Sequence, residues 1–177
     1  MNGCSEIIQA AEDSARALVE QLEANRTDRL VIAESCTAGL VAGVLGQIPG
    51  ISKWLCGSAV TYRESAKKEW LGVSSTTLAT HHAESIETTR EMALGVLRKT
   101  SEAKYSVAVT GHLGPDAPPA LDGQIFIAVA VRSDEETRIY STDCLKLSSL
   151  ERVARQYESV DCVLSCIKEA VAAGDAG

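Results

Sequence analysis

The segment Glu34-Ser35-Cys36-Thr37-Ala38-Gly39 brings a hydroxyl and a thiol to the junction between a predicted strand and a predicted helix. A serine on such a turn is placed as a nucleophile would be, and the N–H groups at a helix start can hold an anion or an oxyanion. Ser35 or Thr37 could instead cap the helix, because both residue types are common at that position. Cys36 could be a reactive thiolate there, or a buried thiol of the core.

A second candidate pair, Tyr62 and Lys67, lies near the end of another predicted strand. On one helix their spacing would separate them by about 140°. They converge only if Tyr62 ends the strand and Lys67 starts the helix that follows. A lysine held there, partly removed from water, has a lowered pKa and could deprotonate a serine. The alternative is an exposed lysine beside Lys68 on a solvated helix face.

The third segment, Val109-Thr110-Gly111-His112-Leu113-Gly114-Pro115-Asp116, is a predicted strand that runs into a glycine-containing loop. Successive backbone N–H groups in such a loop can hold a phosphate. The same residues can also form an ordinary turn, so this segment alone leaves both interpretations open.

These segments need a framework that brings them together, and the hydrophobic pattern predicts one. Short apolar or alternating runs predict strands over residues 30–33, 55–61, 105–110, 125–131 and 137–147. Helical periodicity predicts helices over residues 6–24, 37–48, 66–71, 86–97 and 152–172, with Ser85 as an N-cap and residues 174–177 as a frayed tail. Strands separated by helices indicate an α/β fold, a three-layer sandwich with a mixed, mainly parallel sheet of about five strands and helices on both faces.

Composition and charge bound the class of protein. With 177 residues, 45% of them hydrophobic and 23% charged, the chain is expected to form one globular domain over residues 1–177. Its 17 basic and 24 acidic residues give a net charge of −7, which argues against binding to nucleic acid or to an anionic membrane surface. The N-terminus lacks the pattern of a signal peptide and no apolar run is long enough to cross a bilayer, so we expect a cytoplasmic protein.

Cysteine and histidine spacing predicts neither disulfides nor a metal site. The six cysteines contain no Cys-x-x-Cys pair, and three histidines are too few to complete a zinc site. His81 and His82 precede the long helix, where a structural role is favoured because no metal partners are visible in the sequence. We therefore expect free thiols in a reducing compartment.

Taken together, the three segments resemble the CinA C-terminal domain family, which includes the nicotinamide mononucleotide deamidases. The motifs that carry the resemblance are Glu34-Ser35-Cys36-Thr37-Ala38-Gly39, Tyr62 with Lys67, and Ala108-Val109-Thr110-Gly111 followed by Gly114-Pro115. The likeness runs from about residue 7 to residue 131. Larger members carry an additional N-terminal nucleotide-binding domain, for which 177 residues leave no room, so we expect the stand-alone form.

The resemblance implies an amidohydrolase of pyridine nucleotide metabolism that converts nicotinamide mononucleotide to nicotinate mononucleotide and ammonia, with no metal or organic cofactor. Ser35 would attack the carboxamide, Lys67 would take its proton, and backbone N–H groups after Ser35 would stabilise the oxyanion. Tyr62 and Thr110 would orient the reacting groups or relay the proton. The residues expected to contact this small phosphorylated nucleotide are Cys36, Thr37, Ala38, Gly39, Gly111 and Gly114. The resemblance also implies a homodimer or a larger homo-oligomer.

Several positions depart from the family's pattern. Glu64 replaces the usual asparagine and puts a negative charge near a phosphate-bearing substrate, while His82 and Glu84 replace the usual glycine and valine. Pro118-Pro119 removes N–H donors from the third loop, where a phosphate would need them. The family's Gly-Asp-Arg segment is missing around residues 148–150. Two hypotheses stay open: an active amide hydrolase, or a non-catalytic or repurposed relative that binds another ligand or a protein partner.

Overall fold

The computed structural model describes residues 2–25, 28–133 and 136–174, which contain five strands and six α-helices. The strands are β1 (Leu30–Glu34), β2 (Leu55–Val60), β3 (Tyr105–Gly111), β4 (Gln124–Arg132) and β5 (Thr137–Lys146). The helices are α1 (Asn2–Asn25), α2 (Leu40–Leu45), α3 (Glu64–Leu71), α4 (Ser75–His81), α5 (Ile86–Lys99) and α6 (Arg152–Ala173), with a 3-10 helix at Ile51–Lys53. Each predicted strand matches an observed strand to within one residue at either end.

The five strands form one mixed sheet in the order β2-β1-β3-β4-β5. β1 pairs in parallel with both β2 and β3, while β4 pairs antiparallel with β3 and β5. The predicted α/β fold with a mixed five-stranded sheet is confirmed, and its parallel half is the part formed by β2, β1 and β3. All five residues of β1 are buried, which suits a strand in the middle of a parallel sheet.

Helices cover both faces of the sheet, as the three-layer prediction requires. Alternate side chains of β4 show the two faces: Ile125 and Ile127 pack in the core formed with α1, α2 and α6. Ala128 and Ala130 pack on the opposite side with residues of α3, α4 and α5. This alternation follows from the two-residue period of a strand.

Two stretches differ from the sequence prediction. α4 was not predicted, because its seven residues bury one apolar side chain, Leu78, and so show no periodicity; Ser74 starts it by accepting hydrogen bonds from two backbone N–H groups. α2 begins at Leu40 rather than at Thr37, since Gly39 has a left-handed backbone with φ of 97°. Residues 175–177 of the expected tail lie outside the described residues. No described helix combines the length and apolarity that a membrane span needs.

Candidate active site

The predicted site residues meet at one edge of the parallel part of the sheet. Ser35 directly follows β1, Tyr62 follows β2 by two residues, and Thr110 lies near the end of β3. Because the three strands are parallel and β1 is the middle one, Ser35 lies between the other two strand ends. This edge is where ligands gather in open α/β sheets.

Ser35 and Lys67 form a buried hydrogen-bonded pair at this edge. Nζ of Lys67 lies 2.9 Å from Oγ of Ser35 and donates to the carbonyl of Thr61 at 2.9 Å. The Lys67 side chain is fully buried and Ser35 is 4% exposed. The solvated-face alternative for Lys67 is therefore wrong; its neighbour Lys68 takes that exposed position.

Burial sets the protonation tendency of Lys67. Removal from water lowers the pKa of its amine below the ordinary value, while the nearby carboxylates of Glu84 and Glu64 act in the opposite direction. A neutral amine can donate one proton to the Thr61 carbonyl and still accept the hydroxyl proton of Ser35 through its lone pair. The pair therefore has the geometry of a serine beside its base.

Glu34, the last residue of β1, is a buried carboxylate that holds the turn carrying Ser35. It is 0% exposed and accepts five hydrogen bonds. The donors are the Thr37 hydroxyl at 2.8 Å, the N–H groups of Gly39, Val41 and Ala42 at 3.0 Å each, and the Ser58 hydroxyl at 2.9 Å. The carboxylate thus caps α2 and ties it to β2.

This cap changes which N–H groups can serve an oxyanion. Three of the N–H groups at the start of α2 are taken by Glu34, and that of Ala38 donates to the carbonyl of Ser35. In the described chain, the N–H groups of Cys36 and Thr37 have no carbonyl or carboxylate acceptor and lie beside the Cys36 sulfur. The donors left for a developing negative charge are therefore those immediately after Ser35.

The thiol of Cys36 is buried and unreactive at neutral pH. Its side chain is 5% exposed, and burial raises its pKa to about 12. A thiolate is the reactive form of cysteine, and at neutral pH this group stays protonated. The structure therefore favours the core-thiol interpretation of Cys36 over the reactive one.

Thr110 is fully buried at the end of β3, and its hydroxyl lies 2.7 Å from that of Thr89 on α5. Thr89 donates its single hydroxyl proton to the carbonyl of Ser85 at 2.6 Å. Thr110 is therefore the donor in the pair, and its own oxygen keeps lone pairs for another donor. In the described structure its hydroxyl makes no hydrogen bond to Ser35 or Lys67.

Tyr62 lies at the rim rather than in the buried pair. Its side chain is 52% exposed, and its hydroxyl accepts a hydrogen bond at 3.1 Å from Nη2 of Arg152, the first residue of α6. Nη1 of the same arginine donates to the carbonyl of Gly114. Sequence reasoning did not single out Arg152, because 90 residues separate it from Tyr62.

The loop after β3 is held mainly by its own hydrogen bonds. The N–H of His112 donates to Gln124, and the N–H groups of Leu121 and Asp122 donate to the carbonyl of Pro118. Gly114 has a left-handed φ of 73°, a conformation that favours glycine, and a Cβ there would lie 3.0 Å from Nη1 of Arg155, so that side chain would have to shift slightly. Gly111 ends β3 beside Ile125. Pro115, Pro118 and Pro119 carry no N–H. In the described structure, the N–H groups of five other loop residues donate to no acceptor: Leu113, Gly114, Asp116, Ala117 and Ala120.

A cavity of about 480 Å³ near the start of α3 is lined by Tyr62, Arg63, Glu64, Ser65, Ala83 and Glu84; the buried Ser35 and Lys67 are not part of its lining. In the described structure, neither glutamate forms an ion pair with a basic residue. No group of three or more histidine, cysteine, aspartate or glutamate side chains that could hold a metal is found among the described residues.

Comparison with known families identifies the family of this chain. A family model for the CinA C-terminal domain matches residues 11–171. The chain belongs to the CinA C-terminal domain family. The fold agrees: the competence/damage inducible protein CihA from Agrobacterium tumefaciens superposes with a TM-score of 0.82 at 30% identity, covering 92% of this chain and 95% of that one.

Two curated relatives of this CinA C-terminal domain give its sequence context. It is 41% identical over 112 residues to the nicotinamide-nucleotide amidohydrolase PncC of Escherichia coli K12, which covers 63% of this chain and 64% of PncC. It is 40% identical over 114 residues to a CinA-like protein of Desulforapulum autotrophicum. The chain spans 27% of that relative's length, so it corresponds to one part of a larger protein there.

Proposed function

We propose that the chain is an amide hydrolase that converts nicotinamide mononucleotide and water to nicotinate mononucleotide and ammonia, with Ser35 as the nucleophile and Lys67 as its base. The observation that carries the proposal is the 2.9 Å contact between Nζ of Lys67 and Oγ of Ser35, both buried. The similarity to PncC supports the reaction class.

In the first half of the reaction, Lys67 takes the hydroxyl proton of Ser35 while Oγ attacks the amide carbon. The N–H groups of Cys36 and Thr37 would then donate to the oxygen that becomes negative, a contribution worth about 3–4 kcal/mol in other hydrolases. Lys67 then gives its proton to the departing nitrogen, so ammonia leaves and an ester to Ser35 remains. The positively charged pyridinium ring makes the amide carbon unusually electrophilic.

In the second half, a water molecule attacks the ester carbon and Lys67 takes the water proton. The bond to Ser35 breaks, the proton returns to its oxygen, and nicotinate mononucleotide leaves as the acid. Thr110 would orient the reacting groups through the spare lone pairs of its hydroxyl, and Tyr62 would contact the substrate at the rim. The resemblance further leads us to propose a cytoplasmic homodimer or larger homo-oligomer, which light scattering would test.

The direct test is turnover of nicotinamide mononucleotide by the purified protein. Ammonia release and the appearance of nicotinate mononucleotide, followed by mass spectrometry, should match one to one. Ser35→Ala should lose this activity while its circular dichroism spectrum stays that of the wild type. Turnover that persists in Ser35→Ala would refute the assignment of the nucleophile.

A second function, binding of another ligand by a repurposed member of the family, is favoured by one observation. Glu64 and Glu84 line the cavity near the start of α3, and their charges act on Lys67, so they would oppose a phosphate there. A folded wild-type protein that does not hydrolyse nicotinamide mononucleotide would support this alternative.

A further inference from the structure

Arg152 crosses the mouth of the candidate site. Its guanidinium donates to the Tyr62 hydroxyl, which follows β2, and to the Gly114 carbonyl, which follows β3. β1, whose end leads into Ser35, lies between those two strands. The side chain therefore bridges the two loops that flank the proposed nucleophile.

The charge of Arg152 is not neutralised by its partners, since a phenol and a carbonyl are both uncharged. In the described part of the chain it forms no ion pair with a carboxylate. Arg155, one turn further along α6, shows the contrast: both its Nη atoms lie 2.7 Å from the oxygens of Asp122, and it is 5% exposed. Arg155 is committed to holding the loop, whereas Arg152 keeps a positive charge and unused N–H groups at the mouth.

Some donors that could hold an anion here are engaged or missing, while the N–H groups of Leu113 and Gly114 remain without an acceptor beside Arg152 in the described structure. Glu34 takes three N–H groups at the start of α2, and Pro118-Pro119 removes donors from the loop after β3. A guanidinium matches phosphate oxygens in charge and in the geometry of its paired N–H groups. We propose that Arg152 binds the phosphate of the substrate and makes the site prefer a phosphorylated nucleotide over the nucleoside; this rests on the proposed function.

The kinetic test compares nicotinamide mononucleotide with nicotinamide riboside, which carries the same amide and lacks the phosphate. Arg152→Ala should lower kcat/KM for the mononucleotide by about 10- to 100-fold, mainly through KM, which corresponds to about 1.4–2.8 kcal/mol. Its kcat/KM for the riboside should change less than about twofold, since no phosphate contact is lost. Arg152→Lys should recover part of the loss, because it keeps the charge without the paired geometry. Arg98→Ala, which removes an exposed arginine from α5, is the matched control and should leave both substrates unaffected.

An equal loss of kcat/KM on both substrates would overturn the proposal. That result is expected if Arg152 only holds α6 against the two loops and makes no contact with the phosphate. A titration of ribose 5-phosphate into wild type and Arg152→Ala, followed by NMR, gives a readout that needs no hydrolysis. Binding at least about fivefold weaker in the variant supports the phosphate contact; equal binding, or no binding to the wild type, overturns it. If the wild type hydrolyses neither amide, the proposed function fails while this titration still decides the role of Arg152.

Discussion

Replacing Glu34 by glutamine tests whether the buried carboxylate holds the turn that carries the nucleophile. In the glutamine variant, the amide oxygen is best placed where Oε2 of Glu34 accepts three hydrogen bonds. The amide nitrogen then replaces Oε1 and faces the two groups that donate to Oε1. Those donors are the Ala42 N–H and the Ser58 hydroxyl. Ser58 can rotate its hydroxyl to accept, but the part-buried Ala42 N–H then faces another donor.

One lost hydrogen bond to a charged group and one unsatisfied N–H together cost about 2–4 kcal/mol of the free energy of unfolding. For a chain of this size that lowers Tm by about 5–15 °C. Thermal unfolding of Glu34→Gln, followed by circular dichroism, measures this directly. Glu20→Gln makes the same chemical change at an exposed position of α1 and should stay within about 0.5 kcal/mol of the wild type. A Glu34→Gln protein as stable as that control would refute the reasoning.

Three further outcomes follow from the site. The rate should rise with pH as Lys67 loses its proton, with a midpoint below the ordinary lysine value of about 10.4; a midpoint only near 10 would contradict a buried base. Because Glu84 raises the pKa of Lys67, Glu84→Gln should move the midpoint to lower pH, and a shift to higher pH would count against that contact. Cys36→Ala should retain turnover. Iodoacetamide should label Cys36 slowly at neutral pH, because the thiol is buried and protonated. Loss of activity in a folded Cys36→Ala protein would make the thiol the nucleophile.

The sequence pattern was sufficient to predict the sheet, whereas the pairing of Ser35 with Lys67 was implied by the resemblance to the CinA C-terminal domain family. Apolar runs separated by helical patterns predict parallel strands, and the carboxyl ends of parallel strands share one edge. The spacing of Tyr62 and Lys67 allowed them to converge only if Tyr62 ended the strand and Lys67 started the helix; in the structure β2 ends at Val60 and α3 begins at Glu64. The sequence does not give the direction of each side chain. In the structure, Tyr62 lies at the rim of the site and not beside the Lys67 amine.

Two features depend on contacts that no local pattern encodes. Glu34 stands in the motif, but its role needs the knowledge that three N–H groups of α2 point back at the end of β1. An acidic residue just before a helix start was the available signal. Arg152 is 38 residues from Gly114, and only the packing of α6 against the sheet edge brings them together. α4 was not predicted because it buries a single leucine and so shows no helical periodicity; the serine cap at its start was the only local signal.

The comparison of Lys67→Met with Lys68→Met tests the central claim most directly. Both variants remove one lysine amine from α3 and keep a side chain of similar length, but only the first takes the base away from Ser35. The account predicts that Lys67→Met loses about 100- to 10,000-fold in kcat on nicotinamide mononucleotide, while Lys68→Met stays near the wild type and both remain folded. Comparable turnover in the two variants would contradict a serine activated by Lys67.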